Sequence, residues 1–340
     1  MLEKKHQNVF TVKQFTQIFI LILSCSFFAS CSGKKAYGEN IPDFKIIRFD
    51  KQLFNYLTKN EPDSVLCADT GFLNVFGEKI ITIGRNDSAG FYEQLRKYFS
   101  EPTLMGLYKD TQEKFTGIQP LADELAYGLG IFLKAFPAIK RPKVYLHVSG
   151  LLQNVIVTDD ILSLSADKYL GADYPLYQQF FYDYQRQLMS PDRMAPDYLL
   201  GFMLANLPFK GKDDVLLDRM LYEGKLRYIL SQLLPKRQVW EYVGYTEAQY
   251  AWCNNNQKQI WKTILENQHL FTGNIMTTNQ YLNEAPYTSS LPVESPGRVG
   301  IWLGFQIISA YMKQNPETGF QQLMDLTDYQ DLLKRSKFKP

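Results

Sequence analysis

Histidine is scarce in this sequence: the 340 residues contain only His6, His147 and His269. No two of them stand at the spacing that places two imidazoles on one helix face, and no HExxH motif is present, which excludes a zinc hydrolase of that kind. The GxSxG elbow, the P-loop and the CxxC pair are also absent, and Gly128-Leu129-Gly130 lacks the third glycine of a dinucleotide-binding turn. These absences argue against the familiar hydrolase and nucleotide chemistries.

An excess of one charge is missing as well. Lys and Arg number 37 against 35 Asp and Glu, which gives a net charge of +2. Three of the lysines and one glutamate lie within the first thirty residues, so the rest of the chain is neutral. Nucleic-acid binding draws much of its affinity from the neutralisation of phosphates by basic clusters. We therefore expect no nucleic-acid partner.

Long apolar runs are absent beyond the N-terminal segment. Lys4, Lys5 and Lys13 precede an apolar stretch over 15–23 that is too short for a membrane span, a pattern typical of a secretion signal. Phe28-Ala29-Ser30-Cys31 resembles a bacterial lipobox, which predicts cleavage before Cys31 and acylation of its thiol; Cys25 is a competing site. The predicted organisation is a lipoprotein signal peptide over 1–30, a tether over 31–41 and one globular domain over 42–340, attached to a membrane by lipid.

Two further cysteines, Cys67 and Cys253, remain outside this leader. In an oxidising compartment they could form one disulfide, and each could equally be a buried apolar thiol. The sequence leaves both possibilities open.

The middle of the chain predicts a small sheet. The β-branched and apolar segments 143–148 and 154–158 predict two neighbouring strands, and Ile46-Ile47-Arg48 predicts an earlier extended or helix-entry segment. After Pro175 the apolar residues recur at helical spacing. The predicted helices in this half are Leu176–Leu188, Ala195–Ala205, Asp213–Leu234, Thr246–Gln268 and Val299–Gln314. The fold class is therefore α+β, predominantly helical with a small mid-chain β-sheet.

Two stretches carry unusual patterns. Glu223-Gly224 stands inside a predicted helix, where the glycine indicates close packing or access for a ligand, while Arg219 and Arg227 at four-residue spacing also suit a solvated charge ladder. Ser295 and Pro296 predict the cap and first position of a helix. Its glycines at 297, 300 and 304 form a stripe that could line a groove bordered by Arg298, Trp302 and Gln306, with Glu223 nearby, or could seat one helix against another.

Several motifs resemble the gliding motility lipoprotein GldB family of Bacteroidota, in order and over nearly the whole chain after the leader. They are Arg48-Phe49-Asp50, Tyr169-Leu170-Gly171, Tyr174-Pro175-Leu176-Tyr177, Tyr222-Glu223-Gly224-Lys225, the run from Ser295 to Ile308, Tyr311-Met312 and the ending Ser336-Lys337-Phe338-Lys339-Pro340. The resemblance implies an envelope lipoprotein associated with gliding motility and its linked secretion apparatus.

The same resemblance implies a distant likeness to zincin-type metallopeptidases, in which Glu223-Gly224 matches the element that supplies the third metal ligand. The helix that should carry HExxH corresponds to Tyr198–Ala205 and contains neither His nor Glu. A catalytic zinc needs three protein ligands, so a degenerate zincin-like fold without catalysis, metal or cofactor is expected. Ser32-Gly33-Lys34-Lys35 lacks the acidic residues typical of surface-exported lipoproteins in this phylum, which favours a periplasm-facing orientation.

Our principal hypothesis is thus a non-catalytic component that binds a protein or peptide partner. A first alternative is a hydrolase that uses Glu223 with Asp197 or Asp218 as acid and base. A second is a glycan-binding lipoprotein, whose candidate platforms are Trp240, Trp252 and Trp302.

Overall fold

The computed structural model describes residues 41, 43–59 and 61–340, and the side chains of residues 67 and 68 are not described. The predicted signal peptide, Cys31 with its lipid and nearly all of the predicted tether lie outside the described residues. The described part of the chain belongs to one compact unit that extends to Pro340.

A four-stranded mixed sheet is formed by β1 (Ile46–Arg48), β2 (Lys143–His147), β3 (Val155–Val157) and β4 (Ile161–Ser165), in the order β1-β2-β4-β3. The β1–β2 and β2–β4 pairs are parallel, and β3 runs antiparallel to β4. The two predicted mid-chain strands exist but are not neighbours, because β4 lies between them. Strand β3 is therefore an outer strand of the sheet.

Helices cover both faces of this sheet. The N-terminal half supplies α1 (Phe49–Lys59), α2 (Thr70–Val75), α3 (Phe91–Tyr98), α4 (Pro102–Lys114) and α5 (Gln119–Ala135). Tyr145 of β2 stacks on Phe72 at 4.1 Å between ring centroids, within an aromatic core under one face. Val144 and Leu146, which alternate with Tyr145 along the strand, join the larger core under the other face.

The second half is helical, as predicted. Its helices are α6 (Tyr177–Phe180), α7 (Asp183–Arg186), α8 (Met194–Asn206), α9 (Leu216–Leu233), α10 (Val239–Val243), α11 (Glu247–Asn255), α12 (Gln257–Glu266), α13 (Ile275–Leu282), α14 (Val299–Gln314), α15 (Phe320–Asp325) and α16 (Tyr329–Ser336). The predicted spans 176–188 and 246–268 are each divided into two shorter helices. The molecule is an α+β protein and mostly helical, which confirms the predicted fold class.

Helices α9 and α14 cross with their backbones in contact. A Cβ atom placed on Gly304 would lie 1.9 Å from the Met220 carbonyl oxygen, and one placed on Gly224 would lie 2.3 Å from the carbonyl of Gly304. Gly297 meets the Ala285 backbone at a similarly short distance. The glycine stripe therefore serves helix packing, which was one of its two predicted roles.

Helix α14 has the predicted bounds Val299–Gln314, but it begins three residues after Pro296, the first position that the Ser295 cap predicted. Arg298, with φ of 60°, takes the N-cap position, and the helix runs from Val299 to Gln314. Ser295 does not cap it, because its hydroxyl accepts a hydrogen bond from the backbone N–H of Thr288 at 3.2 Å instead. The Ser295–Pro296 segment is thus part of a buried loop.

Cys253 on α11 is a free, buried thiol. Burial raises its pKa to about 12, so the thiol stays protonated. Cys253 therefore behaves as a small apolar side chain, and the side chain of Cys67 lies outside the described part of the chain.

We searched the described residues for membrane-spanning helices. In that part of the chain, every helix is too short or too polar to cross a bilayer.

Candidate functional site

A cleft of about 820 Å³ opens between the outer strand β3, helix α8, the middle of α9 and the N-terminus of α14. Four cationic side chains line it: Lys168, Arg193, Arg227 and Arg298. They come from four separate parts of the chain, and we call this feature the arginine cleft. Val155 of β3 packs closely on Gly201 of α8, so the strand and the helix together form one wall.

Arg227 lies on α9 and is only 8% exposed. Its Nη1 atom is 3.4 Å from the Glu223 carboxylate, one helical turn earlier. This contact is an ion pair without hydrogen-bond geometry, because the Nε and Nη1 atoms of Arg227 have no hydrogen-bond partner among the described residues. Burial lowers the pKa of Arg227; Glu223 opposes this shift, and the positive charges of Arg298 and Arg193 reinforce it. The three guanidinium groups therefore lie close enough to repel one another.

Arg298 enters the cleft from the N-terminus of α14. Its Nη2 atom donates a hydrogen bond to the Gly244 carbonyl oxygen at 2.8 Å, and its Nη1 atom is 3.9 Å from a Glu284 carboxylate oxygen. The φ angle of 60° places this residue in the left-handed region that glycine or asparagine occupies more readily. Burial lowers the pKa of Arg298.

Arg193 precedes α8 and is held by two hydrogen bonds. Its Nη2 atom donates to Asp197 at 2.8 Å, and its Nη1 atom donates to the Glu241 carbonyl oxygen. Asp197 also accepts a hydrogen bond from the Tyr169 hydroxyl at 2.9 Å. Asp197 therefore faces the cleft with its charge already paired.

Lys168 follows β4 and completes the cationic set. Its Nζ atom donates to the Leu151 carbonyl oxygen at 3.2 Å and lies 4.5 Å from the centre of the Phe181 ring. The adjacent Asp167 is buried and accepts hydrogen bonds from the backbone N–H groups of Ser149 and Leu151, at 3.1 and 2.6 Å. Burial raises the pKa of Asp167, although these hydrogen bonds oppose the shift. Asp167 thus fixes the loop that leads to β3 and the cleft.

The predicted groove residues separate in the structure. Arg298 lines the arginine cleft, and Glu223 lies behind Arg227. Trp302 is fully buried against Tyr250, and Gln306 donates a hydrogen bond to the Tyr250 hydroxyl at 2.8 Å. Trp302 therefore cannot present its ring to a ligand as the groove prediction requires. Its burial also removes one of the three predicted glycan platforms, while Trp240 and Trp252 are half-buried and outside the cleft.

The predicted charge ladder is only half present. Glu223 does pair with Arg227, but both side chains are nearly buried, whereas Arg219 pairs with the exposed Asp213 at 3.3 Å. Sequence spacing gave no sign that Arg193, Lys168 and Arg227 would meet Arg298, because they lie on elements far apart in the chain.

The carboxylates proposed for acid–base chemistry have separate surroundings. Asp197 is paired with Arg193, Glu223 with Arg227, and Asp218 accepts a hydrogen bond from the backbone N–H of Lys212 at 3.0 Å. Over residues 41, 43–59 and 61–340, no three or more His, Cys, Asp and Glu side chains are grouped so that they could hold a metal ion.

Three comparisons with known proteins bear on identity. Neither the search of curated proteins nor the search of solved structures found a match. The family model described as gliding motility protein GldB matches residues 32–340, which is nearly the entire sequence. The chain therefore belongs to the GldB family of gliding motility proteins.

Proposed function

We propose that this protein is a membrane-anchored envelope lipoprotein of the gliding machinery and its linked secretion apparatus, and that it acts by binding a protein or peptide partner in the arginine cleft. The observation that carries the proposal is the cleft itself, an open space of about 820 Å³ with four cations on its walls. Pockets of this size with a few convergent polar groups are the usual form of a binding site.

The pairing of its carboxylates supports a non-catalytic role. General acid–base catalysis needs a carboxyl group that is free to exchange a proton with the substrate. Asp197 and Glu284 in the cleft and Glu223 behind it each lie within 4 Å of an arginine nitrogen, at 2.8, 3.9 and 3.4 Å. Carboxylates held in such ion pairs are suited to positioning the arginine side chains of the cleft.

The degenerate-zincin relationship implied by the resemblance belongs to the same proposal. Helix α8 packs beside the outer strand β3 and contains Asp197 but neither His nor Glu, and the glutamate of Glu223-Gly224 faces Arg227. In this proposal, the cleft is a former peptidase groove that now binds a partner.

The anchor supplies the second half of the proposal. Acylation at Cys31 would hold the domain at one membrane surface, and the family match begins at residue 32, directly after that cysteine. Restriction to a surface raises the effective concentration of a partner embedded in the same membrane. We propose the periplasm-facing side, which protease treatment of intact cells would contradict by digesting the domain.

Crosslinking in living cells tests the partner. A strain that produces a tagged version of the protein is crosslinked, and the captured envelope proteins are identified by mass spectrometry. We expect a reproducible partner that is lost with Arg298→Gly, because glycine accepts the left-handed backbone while the cleft loses one cation. Arg219→Gln is the matched control, since Arg219 lies on α9 outside the cleft. Equal capture by the two variants would refute the assignment of the cleft.

A further inference from the structure

The charges in the arginine cleft do not balance. Four cations line it against two carboxylates, Asp197 and Glu284. Glu223 and Asp167 lie outside this lining, next to Arg227 and Lys168, so the surface that a ligand meets carries more cations than carboxylates.

Arg227 is the group whose binding capacity is least used. Its Nε and Nη1 atoms carry three N–H groups, none of which has a hydrogen-bond partner among the described residues. These atoms are also out of contact with solvent, so the charges of Glu223 and Asp197 alone compensate for their lost hydration among the described residues. An anion bound in the cleft beside Arg227 would add to that compensation.

Arg298 shows that the cleft retains a cation at a conformational cost. A left-handed backbone at a residue other than glycine costs of order 1 kcal/mol or more. Glycine or asparagine at this helix N-cap would avoid much of that cost, but neither would place a guanidinium beside Arg227. Strained residues persist chiefly where their surroundings or their function require them.

We infer that the arginine cleft binds a carboxylate of an acidic polypeptide segment, with Arg227 and Arg298 as its principal partners. Arg193 and Lys168 add attraction from the sides of the cleft. This inference rests on the proposed function, because it names the chemistry of the partner that the cleft receives.

The lining of the cleft favours a polypeptide over a lipid headgroup. Apolar side chains also line the cleft, among them Val155, Val157 and Leu204, the last of which is 46% exposed. A polypeptide with acidic and apolar side chains matches both kinds of lining residue, whereas a phosphate headgroup matches the cations alone.

The test compares two peptides that differ only in charge. One is an octapeptide of alternating Glu and Val with blocked ends and an uncharged fluorophore, and its twin has Gln at every Glu position. Binding to the purified full-length lipoprotein in a non-ionic detergent is followed by fluorescence anisotropy. We expect the acidic peptide to bind at least about tenfold more tightly than its neutral twin.

Variants assign that preference to the cleft. Arg227→Met should abolish the tenfold preference and leave the affinity for the neutral twin unchanged, whereas Arg219→Gln should keep it. Arg298→Gly removes a cleft cation at a position where the backbone favours glycine, so it provides a folded variant if Arg227→Met does not fold. Arg298→Gly should weaken the acidic peptide severalfold.

The remaining outcomes overturn the inference in distinguishable ways. If both twins bind equally in all variants, the cleft binds peptides without a carboxylate contact, so the inference fails and the proposed function stands. If neither twin binds while crosslinking still captures a partner, the inference fails and the proposed function stands. If crosslinking also captures no partner, the inference and the proposed function both fail. Arg227-dependent binding of inorganic phosphate or of phosphatidylglycerol vesicles that exceeds binding of the acidic peptide would assign the cleft to phosphate or lipid.

Discussion

The contact between α9 and α14 predicts that Gly304→Ala destabilises the protein. The added Cβ atom would lie 1.9 Å from the Met220 carbonyl oxygen and 2.8 Å from its carbon, whereas real contacts of this kind begin near 3.0 Å. Both atoms belong to helix backbone, so no side chain can rotate away, and the two helices must separate by about 1 Å. Overpacking of a core on this scale costs about 1–3 kcal/mol, and the better helix propensity of alanine returns at most about 1 kcal/mol.

The chain offers a matched control in Gly106, which is exposed within α4. A Cβ atom placed on Gly106 would meet nothing within 4 Å apart from its own helix. Gly106→Ala should therefore stabilise the protein by about 0.5–1 kcal/mol. Urea denaturation of each variant, followed by far-ultraviolet circular dichroism, gives the free energy of unfolding. The close helix contact would be refuted if Gly304→Ala were as stable as the parent protein, or if it gained stability as Gly106→Ala does.

The same variant links packing to the cleft. Gly224 is three residues before Arg227 on α9, and Gly304 is six residues after Arg298 on α14. Separation of the helices would move the two guanidinium groups apart, so Gly304→Ala should also weaken the acidic-peptide preference. Loss of stability with unchanged preference would show that the crossing does not set the arginine spacing.

Two further predictions concern buried titratable groups. Burial lowers the pKa of His147 from its usual 6.5 to about 3, so as pH falls below 6.5 the unfolded chain binds a proton that the folded chain does not. The free energy of unfolding should therefore drop by about 1.3 kcal/mol between pH 7.5 and pH 5.5. Urea denaturation at both pH values should show that His147→Gln removes this part of the pH dependence. Burial raises the thiol pKa of Cys253 to about 12, so Cys253 should resist iodoacetamide in the native protein and react after denaturation. Peptide mapping by mass spectrometry would measure the labelling. Rapid labelling in the native state would contradict the burial of this thiol.

The fold was predictable where local sequence patterns determine it. Helix α14 has the predicted bounds Val299–Gln314 because its apolar residues keep one periodicity throughout. The predicted N-cap at Ser295 was wrong, because the Ser295 hydroxyl accepts a hydrogen bond from the backbone N–H of Thr288 across the loop. Strand β4 was missed, since Ile161–Ser165 is short and alternates apolar residues with serines that are also buried. The pairing of that strand with both β2 and β3 depends on tertiary contacts, which local sequence patterns do not show.

Of the residues predicted for the groove, only Arg298 lines the arginine cleft; Asp197, predicted for acid–base chemistry, also lines it. The neighbours of Arg298 in the cleft, Arg193, Arg227 and Lys168, are brought there by chain crossings that no spacing rule reveals. Trp302 and Gln306 follow Arg298 on the same helix, but α14 turns them toward Tyr250 and away from the cleft. Arg298, at the N-cap of α14, therefore faces the cleft, whereas Trp302 one turn into the helix is buried.

Helix packing and the cleft together explain why the glycines and arginines occur as they do. Helices α9 and α14 bring Arg227 and Arg298 to the same cleft; burial lowers the pKa of Arg227, and the positive charge of Arg298 adds to that shift. The backbone contact at Gly224 and Gly304 lets the two helices approach this closely, since bulkier residues would hold them apart. The cations of the cleft lie beside the outer strand β3. In the proposed function, a carboxylate of the partner at Arg227 would offset the repulsion between the guanidinium groups that the helix crossing brings together.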